Sequence, residues 1–332
     1  MITNTDRDNE KKREWRSIIA NIASPNVILL VAGIIFVLVV SLTVKNFLSF
    51  RNITNVTVQI SSTGLMAIGL TFVIITGGID LSLPTVMALS AILGCSVMVK
   101  TQNIAIGVIV ILTVALSIGC FIGFSIAKLK MVPLIVTLAV GTMALGTSNW
   151  FTAARSISGM PEEYSKIFAG SLFGLIPIPA VILLVVAIIM HTILSKSIFG
   201  RQLFQVGVNE NTARVNGVNT TRIIFSIYVI SGFTAGLAGI VASARLNSAG
   251  PSMGPQNMFM DIVAAVVIGG ASVSGGKGGI PGTIIGSIFM GVISNIVNLL
   301  GLEYFMILLV KGAIIITVAY FDILRNRGTA IR

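Results

Sequence analysis

Thr76-Gly77-Gly78-Ile79-Asp80-Leu81-Ser82 interrupts a long apolar run, Gly64 to Thr76, and another follows it, Leu83 to Val99. A carboxylate in such a setting is costly, about 2.5–3.5 kcal/mol at a bilayer centre on insertion scales. Two glycines followed by Asp-Leu-Ser break a helix and release backbone groups that lipid cannot satisfy. The stretch therefore belongs inside a helical bundle, beside a watery cavity, or at a membrane face. Residue chemistry leaves two readings open. One is a tight turn between two membrane helices, with Asp80 capping the second. The other is a polar break on a transport path.

The rest of the chain agrees with a membrane setting. Its 332 residues are 55% hydrophobic and 10% charged, with mean hydropathy +0.99, which excludes an ordinary soluble domain. At about 20 residues per span, this composition supplies eight to eleven helices and short loops. No room remains for a nucleotide-binding domain. Gly275-Gly276-Lys277-Gly278-Gly279 lacks the spacing of a phosphate loop. Any energy source must be a partner or an ion gradient. The net charge of +11 would suggest nucleic acid in a soluble protein. Here it reads as the positive-inside bias, with no nucleic-acid partner. Cys95 and Cys120 sit in apolar runs without metal-ligand spacing and read as packing residues.

The expected fold is an all-α polytopic membrane protein of about ten transmembrane helices, both termini cytoplasmic. The apolar segments are roughly Val27–Val44, Val56–Thr76, Leu83–Val99, Ile104–Ala127, Val132–Phe151, Phe173–Leu194, Arg222–Ala242, Met258–Gly269, Ile280–Leu300 and Tyr304–Leu324. Residues 1–26, with Trp15 among basic residues, form a cytoplasmic tail and do not match a cleaved signal peptide. Residues 27–324 form one permease domain and 325–332 a second short tail. With the N-terminus inside, fifteen of the 22 Lys and Arg fall on the cytoplasmic side, six outside, and Lys311 within the last span. That asymmetry favours this orientation over its inverse. The main outer loops are Thr152–Leu172 and Ala244–Asn257.

Glycines four apart, Gly119/Gly123, Gly232/Gly236 and Gly282/Gly286, predict closely packed helices. The Ile74–Ser82 stretch has an echo in Val267-Ile268-Gly269-Gly270-Ala271-Ser272-Val273-Ser274, as expected of repeated halves that meet at broken helices. The largest cytoplasmic loop, 195–221, contains one predicted short helix, Glu210 to Asn216. Asn209 caps it, Glu210 suits its first turn, Arg214 its last, and Gly217 stops it. So short a helix needs a docking surface, either its own bundle or a soluble partner.

Several stretches together resemble the permeases of ribose-type sugar ABC transporters. They are Gly69 to Ser82, Asp261 to Gly276, the loop from Phe199-Gly200-Arg201 through Gly207-Val208-Asn209 to Gly217-Val218, and Val310-Lys311-Gly312. The resemblance implies about ten helices and a membrane subunit working as a pair, with a second permease copy or a paralogue. It implies an ABC ATPase on the cytoplasmic face and an extracytoplasmic sugar-binding protein outside, in a bacterial plasma membrane. It assigns Gly200, Arg201, Gly207, Asn209, Glu210, Ala213, Arg214 and Gly217 to an ATPase-coupling loop. Gly77, Gly78, Asp80, Ser82, Asp261, Gly269, Gly270 and Ser272 fall at helix breaks or on a translocation path. Leu83-Pro84-Thr85 departs from the family's usual Val-Gly-Ser, but proline suits a first helical turn.

Asn295 and Asn298 share a helix face and could bond sugar hydroxyls or another helix. His191 sits near a span end. Asp80, Asp261 and Lys311 are the deepest charges by this segmentation and could be paired. No catalytic cluster, metal site or cofactor site is expected, which sets aside a membrane enzyme. The function expected is import of a monosaccharide, ribose-like or similar, driven by a separate ATPase. A self-contained ion-coupled transporter of a small polar solute stays open as the alternative.

Overall fold

The computed structural model describes residues 47–255 and 258–301, with Ser41, Met306, Leu308, Leu309, Gly312 and Ala313 besides. The two tails, the first and last apolar segments for the most part, and Lys311 lie outside the described residues. In chain order the helices are α1 Phe50–Ile75, α2 Leu83–Thr101, α3 Ile104–Ala127, α4 Pro133–Thr152, α5 Glu162–Ala169, α6 Ile178–Lys196, α7 Ile198–Val208, α8 Glu210–Val215, α9 Thr220–Leu246, α10 Met258–Ile268 and α11 Ile280–Leu299. Among them seven are long and apolar enough to cross a membrane: α1, α2, α3, α4, α6, α9 and α11. At 11 residues, α10 covers only about half that span.

Local signals explain the ends. Ser49 accepts the Asn52 amide at the start of α1, Asn103 the Ile106 amide at α3, and Asn219 the Arg222 amide at α9. Proline fills the first turn of α2, α4, α6 and α11, where no amide partner is needed. The segment expected from Phe173 becomes helical only at Ile178. Before it, β1 Ser171–Leu172 pairs with β2 Ile176–Pro177 around Phe173 and Gly174, both at positive φ. The loop 152–172 is not irregular throughout: it holds α5, whose Tyr164 is buried and bonds the Ser243 hydroxyl at 2.7 Å.

Helix α1 is the hub. It packs against α9, α11, α6 and α10, and nearly all of its apolar length is buried. The two most apolar spans, α3 and α6, are also the most exposed, as lipid-facing helices should be. The glycine pairs do the close packing. Gly119 and Gly232 face each other across α3 and α9, where a Cβ on Gly119 would reach Gly232 Cα at 3.2 Å. A Cβ on Gly286 would overlap the Ala265 carbonyl across α10 and α11. Hydroxyl and amide pairs add long-range ties: Thr71 to Thr283 at 2.7 Å, and Asn52 to Asn295 reciprocally at 2.9 and 2.7 Å.

Loops meet in two groups at the ends of the bundle. The Ile157 and Ala249 backbones bridge the two loops expected outside, at 2.7 and 2.9 Å. At the other end, Lys130 of the α3–α4 turn reaches Glu210 of the 195–221 loop.

Candidate functional site

The 195–221 loop carries two helices where one was expected. Ser197 caps α7, its hydroxyl oxygen accepting the Gly200 amide at 3.1 Å, and Leu203 and Val206 are buried on one face. The two glycines of α7 lower its intrinsic propensity and hid it. They are there for close approach. A Cβ on Gly200 would overlap the Leu194 carbonyl at the end of α6. The second helix, α8, starts and stops as read: Asn209 Oδ1 accepts the Thr212 amide at 2.9 Å, Asn216 is the C-cap, and Gly217 follows at φ +83°. Ala213 docks α8 on the bundle, while Arg201, Asn209, Val208 and Val215 are exposed.

Glu210 ties α8 down. It accepts from Arg214 at 2.7 Å, Thr220 at 3.1 Å and Lys130 at 3.3 Å. Burial works to raise its carboxyl, but the Lys130 charge and the bonds from Lys130, Thr220 and Arg214 outweigh it and hold the group below its ordinary value. A depressed carboxylate stabilises the folded arrangement above its ordinary range, and that stabilisation is lost as pH falls through the folded value. Glu210→Gln is therefore expected to loosen α8 by about 0.2–1 kcal/mol at neutral pH, the scale of exposed ion pairs. Amide exchange over residues 209–217 measures it. After division by the intrinsic exchange rate at each pH, the opening equilibrium should rise on acidification in the parent and stay nearly flat in the variant.

The centre of the site is a backbone junction. The Ile75 carbonyl at the end of α1 accepts the Gly276 amide at 2.8 Å. Gly207, in the last turn of α7, lies against both: a Cβ there would overlap the Ile75 oxygen and sit 2.9 Å from Gly276 N. A Cβ on Gly275 would in turn meet the Gly207 oxygen at 2.7 Å. One helix of the 195–221 loop thus touches both glycine breaks at once, with no side chain between.

The two breaks have the same form. In the first, Gly77 (φ +77°) bonds Ile74 and Gly78 bonds Val73; in the second, Gly270 (φ +91°) bonds Val267 and Ala271 bonds Val266. Each is a helix end closed by a left-handed residue with a wide back-bond. Each leads to a helix with proline in its first turn. Gly269 packs on Gly282, and buried Ser272 closes the second loop by bonding Lys277 and Gly275 through its backbone.

Asp80 is buried but does not cap α2; Ser82 holds that position without a side-chain cap bond. One Asp80 oxygen accepts the Ser82 amide at 3.0 Å and hydroxyl at 2.6 Å, and the other accepts the Ser231 hydroxyl of α9 at 2.5 Å. Asp80 therefore braces the break against α9. Tyr228, one turn before Ser231, lies beside Gly78, whose added Cβ would reach its hydroxyl at 2.8 Å. Sequence reasoning missed Ser231, whose only signal was a hydroxyl inside an apolar helix.

Asp261 lies elsewhere, in the first turn of α10. It lines a cavity of about 360 Å³ with Gln59, Ser62, Thr63, Arg245 and Ser252. Asn295 is spent on Asn52, and Asn298 is exposed and apart from both sites.

Comparison with known proteins follows the same lines. The family described as "Branched-chain amino acid transport system / permease component" matches residues 52–319. The chain is 38% identical to the ribose import permease protein RbsC of Bacillus subtilis, covering 87% of this chain and 89% of that one. It is 33% identical to RbsC of Escherichia coli K12 (88% and 92%) and 33% to its L-arabinose transport system permease protein AraH (84% and 84%). No solved structure matches. Its relatives are transport subunits and not enzymes. Glycine-broken helices, a polar loop seated on them and these relatives agree: the chain belongs to the permease family of sugar ABC importers.

Proposed function

We propose that this chain is the membrane-spanning subunit of an ATP-binding-cassette importer for a monosaccharide, ribose or a similar sugar. A separate ATPase docks on the α7–α8 face and supplies the energy. An extracytoplasmic binding protein delivers the sugar, and a second permease copy or a paralogue completes the membrane pair. The chain sits in a bacterial plasma membrane through about ten spans, with both termini and residues 195–221 in the cytoplasm. The helices α7 and α8 then carry the ATPase's motion inward.

The observation that carries this reading is the junction at Gly207. A soluble motor pushing on α7 acts directly on the end of α1 and on the glycine loop between α10 and α11, because backbone meets backbone there. The cargo assignment rests on the named cargo of relatives that span nearly the whole chain. The test is reconstitution in vesicles with the ATPase and binding protein. ATP-dependent uptake of D-ribose, D-allose or L-arabinose is expected, and none by the permease alone under a proton or sodium gradient. Uphill uptake by the permease alone would establish the ion-coupled alternative instead.

A further inference from the structure

Halfway along α1 lies a polar cavity that neither glycine break uses. Ser62 is the thirteenth of the 26 residues of α1, so it lies ~18 Å from either end at about 1.5 Å per residue. The loop before α10 enters the bundle to reach this height. Gly254 packs so tightly on the Pro84 carbonyl of α2 that a Cβ would overlap it. The half-length helix α10 then starts beside the cavity and brings Asp261 in its first turn. Irregular backbone at such a depth is tolerated only within protein or beside water.

The lining is specific. It contains one cation, Arg245, and one anion, Asp261, so the wall carries no net charge and favours a neutral solute. Gln59, Ser62, Thr63 and Ser252 add groups that both donate and accept. Met87, Met253 and Met258 provide a pliable apolar wall for C–H faces. Ser62 is buried at 5% exposure, and among the described residues its hydroxyl has no hydrogen-bond partner. An unpaired buried hydroxyl costs about 1–3 kcal/mol until water or a ligand satisfies it. The volume, about 360 Å³, lies at the lower end of small-ligand sites, ~300–1,000 Å³.

We infer that this cavity binds one neutral monosaccharide within each permease copy, with the Asp261 carboxylate accepting from neighbouring sugar hydroxyls and Arg245, Gln59 and Ser62 completing the set. The solute class rests on the importer reading above. The location does not: the lining groups named above all belong to this chain.

The test uses the assembled permease–ATPase complex in nanodiscs. Cys95 and Cys120 are replaced by alanine, and Thr63→Cys places a thiol on the half-buried part of the lining. A small charged methanethiosulfonate should modify it, and at least one of D-ribose, L-arabinose and D-allose, each tried at millimolar concentration, should slow modification at least fivefold. Glu163→Cys on the exposed face of the short helix α5 should be modified with no slowing. Adding Ser62→Val should raise the sugar concentration for half-protection about tenfold while insertion is unchanged. Absence of modification at Thr63→Cys overturns the site. Import without protection also overturns it and leaves the importer reading standing. Protection without ATP-dependent import keeps the site and removes the importer reading.

Discussion

Gly207→Ala should cut ATP-driven uptake at least tenfold while the chain still inserts and still binds its ATPase. The added methyl has nowhere to go. Its nearest atoms are the Ile75 carbonyl oxygen and the Gly276 amide, backbone on both sides, and neither can rotate away as a side chain could. Overpacking of this kind costs about 1–3 kcal/mol, and about 1.4 kcal/mol is tenfold in an equilibrium. The strain falls on the contact between α7 and the two breaks, leaving the exposed face of α7 unchanged. Uptake in vesicles and co-purification of the ATPase measure the two effects separately. Gly146→Ala is the matched control, since nothing lies within 4 Å of a Cβ there. Normal uptake by Gly207→Ala would remove the junction from the transport cycle.

Asp80→Leu should cost most of the folded protein, whereas Asp80→Asn should fold and transport at a reduced, measurable rate. The carboxylate takes three donors: the Ser82 amide, the Ser82 hydroxyl and the Ser231 hydroxyl. Leucine leaves all three in a buried space, at about 1–3 kcal/mol for each unpaired group. Asparagine keeps one oxygen for Ser82 and turns an amide toward Ser231, whose hydroxyl can accept as well as donate. Detergent-solubilised yield and thermal stability report the first effect, and uptake against pH the second. An Asp80→Asn variant that is stable but silent, with its pH dependence gone, would make Asp80 an ion carrier and revive the ion-coupled alternative.

Much of this was legible because membranes restrict the choices. Segment ends from Leu83 to Ala127 were read to within a few residues, since the apolar runs stop there and Pro84 suits a first helical turn. The echo between the two Gly-Gly stretches was readable in residues 74–82 and 267–274, and the shared turn geometry accounts for it. What could not be read depends on distance along the chain. Nothing local tells Asp80 that its second partner is Ser231, 151 positions away. Composition discouraged the reading of α7, because glycine weakens a helix in isolation, and only the crossing backbones explain why it is there. Arg245 was counted as an outer-loop charge because the span was ended at Ala242; the helix runs on to Leu246 and carries it to the cavity.

The central position of α1 also bears on how the protein is made. Its permanent neighbours are translated late: Thr71 bonds a residue 212 positions downstream, and Asn52 one 243 positions downstream. After leaving the ribosome, this segment must wait in the lipid without these cross-helix partners until α9, α10 and α11 arrive, its hydroxyls bonded only to its own backbone. Biogenesis of this subunit therefore ends with the later helices closing around an early one, and a chain truncated before α9 leaves its hub with α6 alone of those four neighbours.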